Sequence, residues 1–146
     1  MTYRISRGIL IVVAAFYAYG ALVHVLNMMS LTGFDWRGAP LKWQILDVVY
    51  LVVDVVAAVG LAFAWRIGFV AFFAAATSQI VLYTALRSWI LDVPEEYRPA
   101  PEQIGYLDTL VLFHVVTIAV VAFALWLVRH DGPAHGASRR EPSAQP

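Results

Sequence analysis

From its amino end the chain alternates long apolar stretches with short segments rich in Gly, Pro, Trp and charge. Four apolar stretches stand out, at roughly 8–27, 44–65, 67–87 and 106–128. At a rise of about 1.5 Å per residue, about 20 residues of helix are enough to cross the hydrocarbon core of a bilayer. The predicted fold is therefore an all-α membrane protein, an antiparallel four-helix transmembrane bundle within residues 1–130. A small, polar, Pro-containing tail, 131–146, is predicted to be disordered.

The segments between the stretches set the connectivity. Trp65-Arg66-Ile67-Gly68 leaves room only for a tight turn between the second and third helices. The other connections are longer, with Gly33, Gly38 and Pro40 in one and Pro94, Pro99 and Pro101 in the other. Within the latter, Pro94-Glu95-Glu96-Tyr97 is suited to open a short surface helix, because proline and acidic residues fit a first turn. Trp36, Trp43, Trp89 and Tyr106 fall near one predicted interface, Trp65 and Trp126 near the other, as in an aromatic belt.

Composition agrees with the pattern: 61% of the 146 residues are hydrophobic and 14% are charged. In a four-span topology Arg4, Arg7, Arg66, Arg129, Arg139 and Arg140 share one side, while Arg37, Lys42, Arg87 and Arg98 share the other. That bias predicts cytoplasmic termini, and a bacterial inner (plasma) membrane is the expected location. Without cysteine there is no disulfide, thiolate metal site, iron–sulfur cluster or covalently attached haem. A net charge of zero with no basic stripe argues against nucleic acid as a partner. Dinucleotide, P-loop, zinc-protease and serine-hydrolase motifs are absent. The four-span architecture resembles that of several families of small four-helix membrane proteins, DoxX-like proteins among them; it brings no residue-level motif and so implies no particular activity.

Chemistry is concentrated in a few polar residues within the apolar stretches. Asp47, Tyr50 and Asp54 are spaced i, i+3, i+7 and so lie within roughly 60° of each other around the second helix. Tyr17, Gly20, His24 and Asn27 form a comparable stripe on the first helix. Gln79 and Tyr83 share a face of the third, and His114 and Thr117 lie on the fourth. The assumed topology puts His24 and Asp47 at one depth, with Asn27, Tyr50 and Tyr83 close by; His114 is slightly deeper, and Asp54 and Gln79 approach the middle. All belong to the outer half. An acid at a helix centre costs roughly 2.5–3.5 kcal/mol on insertion scales, so these groups are expected to face one another across an inward polar pocket.

Several uses fit such a pocket. Asp47 alone could be an interfacial acid near Lys42, whereas Asp54 near midplane has to be protonated, paired or hydrogen-bonded and is the stronger functional candidate. Two imidazoles, His24 and His114, have the ligand type for haem b or, with an aspartate, for a divalent metal. His, Asp and Tyr together also supply the proton-exchanging groups that a quinone needs. The leading expectation is a small membrane subunit that acts by binding, more an accessory component than an enzyme. It would bind a small ligand or a partner, either another membrane subunit or a second copy, through His24, Asn27, Asp47, Tyr50, Asp54, Gln79, Tyr83 and His114. A haem- or quinone-binding redox component and a proton-coupled transporter subunit are the alternatives.

Overall fold

The computed structural model describes residues 2–130, and every regular element among them is helical. In chain order these are α1 (Thr2–Met28), α2 (Leu41–Ala62), α3 (Arg66–Tyr83), α4 (Arg87–Leu91), a single 3-10 turn (Glu95–Tyr97) and α5 (Pro101–His130). The predicted tail, 131–146, lies outside the described residues. α1, α2, α3 and α5 are long and apolar enough to cross a membrane.

The helix limits differ from the hydropathy pattern where local chemistry intervenes. α2 starts directly after Pro40, whose φ of −50° suits a helix start. α3 ends at Tyr83, because Thr84 turns away (φ −112°, ψ −81°) while its hydroxyl donates to the Ile80 carbonyl at 2.6 Å. The expected continuation to residue 87 is instead a break followed by α4. α5 begins at Pro101, five residues before its apolar run: proline fits a first turn, Glu102 faces the positive end of the helix, and Gln103 Oε1 accepts from the Ala100 N–H at 2.9 Å. The 3-10 turn follows Pro94 directly.

α1 packs against α2 and α5, and α3 packs against the same two, so the four long helices enclose a common interior. One end of it is apolar: Leu10, Val13, Ala57, Leu61, Phe72 and Val121 form its core, with Phe72, Leu61 and Val121 completely buried. The outer faces carry Val12, Val52, Val70 and Leu112, each more than half exposed. An apolar exterior of this extent suits lipid better than water.

At this apolar end α2 turns into α3 within residues 63–65. Ala64 adopts a left-handed conformation (φ +55°), and the Trp65 N–H donates to the Gly60 carbonyl at 2.7 Å. The backbones of Gly60 and Gly68 touch, and a methyl group on either would overlap the main chain of the other. This approach requires glycine on both sides.

The opposite end carries the two long connections, 29–40 and 84–100, and is tied by polar contacts. Lys42 Nζ donates to the carbonyls of Trp89 and Asp92, both at 2.5 Å, and Trp43 Nε1 donates to Ile90 O at 2.9 Å, so the first turn of α2 holds α4. Arg87 ties α4 to α5: Nη1 donates to Asp108 Oδ1 at 2.6 Å, and Nη2 to Ile104 O at 2.9 Å. Hydrogen bonding to Asp108 raises the pKa of the Arg87 guanidinium, which stays charged. The Tyr97 hydroxyl and the Asp35 carboxylate fill the space a side chain at Gly38 would need, so the two connections meet.

Candidate functional site

Below the connections, three residues on one face of α2 surround the imidazole of His24 from α1. Nδ1 donates to Asp47 Oδ1 at 2.6 Å, the ring stacks on Tyr50 with centroids 6.2 Å apart and planes 17° apart, and Nε2 faces Asp54 Oδ2 at 3.8 Å. The i, i+3, i+7 spacing produces this grip, because it places the three α2 side chains along one stripe opposite a single ring. Lys42 takes no part, being engaged with α4.

Asp54 is only 4% exposed, yet its Oδ1 has no hydrogen-bond partner. Gly20 lets α1 come this close, since a Cβ there would fall 2.7 Å from Asp54 Oδ2. A buried carboxylate oxygen without a donor is costly, and few occur in folded proteins.

A second polar chain crosses between the other helices. The Tyr17 hydroxyl donates to His114 Nδ1 at 3.4 Å, and His114 Nε2 donates to Gln79 Oε1 at 2.9 Å, an assignment that uses one tautomer throughout. Thr117 Oγ1 donates to the His114 carbonyl at 3.1 Å. Tyr50 donates to Ser78 Oγ at 3.1 Å, and Ser78 in turn to Ala75 O at 3.0 Å. Asn27 Oδ1 accepts from Thr32 Oγ1 at 2.9 Å.

Two cavities adjoin these groups. One, of about 750 Å³, lies under the connections and is lined by Tyr50, Asp35, Glu96 and Arg98 among others. The other, of about 510 Å³, lies deeper and is lined by Tyr17, Gly20, Asp54, Gln79 and His114 among others. His24, Asn27, Asp47 and Tyr83 line both and so form the partition between them. Every site residue singled out from the sequence therefore lines a cavity, but in two groups: Asp54 turns to His24, and Gln79 turns to His114.

These bonds bear on the cofactor readings. Both ring nitrogens of His114 are engaged, and His24 commits Nδ1 to Asp47, so axial ligation of a haem iron by the pair would require the existing hydrogen bonds to break. Asp47 and Asp54 approach His24 at different ring nitrogens and do not converge on one point. Among the described residues no group of three His, Asp or Glu side chains is arranged to hold a metal ion.

The sequence reading counts Arg87 only among the basic residues of one side and misses its pair with Asp108. The signal was Asp108 at the start of an apolar run, where an acid needs a partner. Ser78, which accepts from the Tyr50 hydroxyl, is a second contact that helical spacing alone does not single out.

Compared with known proteins, the chain matches no family model, no curated protein and no solved structure.

Proposed function

We propose that the protein is a small integral membrane subunit that binds a small ligand through the His24–Asp47–Asp54 group. The helices form an antiparallel bundle in a bacterial inner membrane, with the termini cytoplasmic and the polar groups in the outer half. One observation carries this reading: His24, held between two aspartates, stands in the partition between two cavities, and the buried Asp54 keeps one oxygen unpartnered. An unmet buried acceptor of this kind costs about 1–3 kcal/mol or more. A ligand donor would meet the need.

The test replaces His24, Asp54 and His114 by Ala, one at a time, and measures thermal stability, co-extracted small molecules by mass spectrometry, and association with other membrane proteins. Loss of a co-extracted molecule in the His24 and Asp54 variants is the expected result. If co-extracted molecules and association stayed unchanged in the His24 and Asp54 variants, the reading would be lost.

A second reading draws on the 3.8 Å approach of His24 Nε2 to Asp54. Asp47, His24 and Asp54 form a row from the outer cavity to the deeper one, along which a proton could pass, as in a subunit of a proton-coupled transporter. Flux in proteoliposomes would then depend on pH and be abolished by Asp54→Asn.

A further inference from the structure

The deeper cavity also reaches the outer surface of the helix ring, between α1 and α5. Its rim includes Phe16 and Tyr19 of α1 and Tyr106 of α5, which are 52%, 65% and 57% exposed. Phe16 meets the ring of Phe113 edge-on at 5.5 Å and closes the slot towards the apolar end. Tyr19 is nine residues from the end of α1 at Met28, about 13 Å along the axis, a depth at which the surrounding medium of a spanning helix is lipid. The mouth is thus aromatic and faces the bilayer, whereas the blind end presents one polar side chain from each long helix: His24, Asp54, Gln79 and His114.

We infer that this slot admits, laterally from the bilayer, a neutral lipid-soluble molecule with a planar ring and hydrogen-bonding oxygens at its edge, the chemistry of a quinone or quinol with an apolar tail. The inference rests on the ligand-binding reading above and adds the route and the ligand class. Aromatic walls suit a flat ring better than an acyl chain. Asp54 Oδ1 accepts a hydrogen bond from a quinol hydroxyl, and on the other wall the Gln79 amide N–H, whose oxygen is taken by His114, donates to the carbonyl of a quinone. A lipid carboxylate is disfavoured, because its negative charge would be brought against Asp54 in a medium of low dielectric. The volume of about 510 Å³ falls within the usual range for a small-ligand pocket, so it holds a ring and the start of a tail while the remainder lies in lipid.

The test uses the full chain in nanodiscs with a photoreactive quinone bearing a decyl tail, cross-linked peptides being mapped by mass spectrometry. Labelling is expected within 16–27 and 106–114, with displacement by decylquinone at least about tenfold more effective than by a tail-less benzoquinone. Thr109→Trp, at the exposed rim, should reduce labelling at least about tenfold, whereas Arg98→Trp, in the outer cavity, should not. Equal competition by the tail-less quinone would overturn lateral access even if Thr109→Trp failed to fold. So would a dependence on Arg98→Trp alone; both outcomes leave the ligand-binding reading standing. A photoreactive fatty acid that labels the slot as strongly, and is not displaced by decylquinone, would show an acyl groove and refute the ligand class. Absence of quinone labelling, while Asp54→Ala still loses its co-extracted molecule, would refute this inference alone. No effect of the His24, Asp54 and His114 substitutions would refute the reading beneath it.

Discussion

Asp54 and His114 are both buried acid–base groups, yet they stand in opposite relation to stability. His114 is satisfied on both nitrogens, so His114→Leu strands the Gln79 amide and the Tyr17 hydroxyl and should destabilise the protein by about 1–3 kcal/mol. Asp54 is unsatisfied at Oδ1, and Asp54→Leu should leave thermal stability unchanged or raise it while abolishing ligand retention. Unfolding of both variants in one detergent checks the contrast; a large loss on Asp54→Leu would mean that the acid is needed for folding. The sequence made Asp47, Tyr50 and Asp54 legible as a stripe because helical spacing alone fixes which side chains share a face. It did not reveal which group each would choose across the interior. That choice depends on Gly20 letting α1 approach Asp54, and on Gln79 being taken by His114, both properties of packing between helices.

Among the elements, the long helices were readable from apolar length, but their ends were not. Thr84 and Pro101 set the limits of α3 and α5 through a side-chain bond and a first-turn preference that hydropathy does not register. α4 is the clearest case: five residues do not make a stable helix alone, and it is held by Lys42, Trp43 and the Arg87–Asp108 pair. Lys42→Ala combined with Arg87→Ala should therefore release the 84–100 connection, measured as faster proteolysis there, while the spanning helices stay protected. At the other end, Gly60→Leu should cost about 1–3 kcal/mol or prevent folding, since the side chain has to enter the backbone of Gly68. A folded, fully stable Gly60→Leu protein would contradict the close contact.

On the scale of the whole molecule the arrangement is asymmetric, with an apolar interior near the 63–65 turn and a polar, hollow one under the long connections. The proposed orientation turns the hollow end outward. The natural chain contains no cysteine, so single replacements report cleanly. Ser30→Cys should react with a membrane-impermeant thiol reagent added to intact cells, and Ala64→Cys only after the membrane is opened. The reverse pattern would invert the topology.

The glycine contact that joins α2 to α3 also bears on biosynthesis. With a turn of so few residues, neither helix can settle in the bilayer while the other waits outside, so the two enter as one unit. Asp54 and Gln79 would therefore enter lipid together ahead of α5, and His114, the partner of Gln79, would arrive last. Until then the intermediate would hold the Gln79 amide without its mature partner, whereas Asp54 already has His24 of α1 beside it, and this is the stage at which an insertase or companion subunit would have most to contribute.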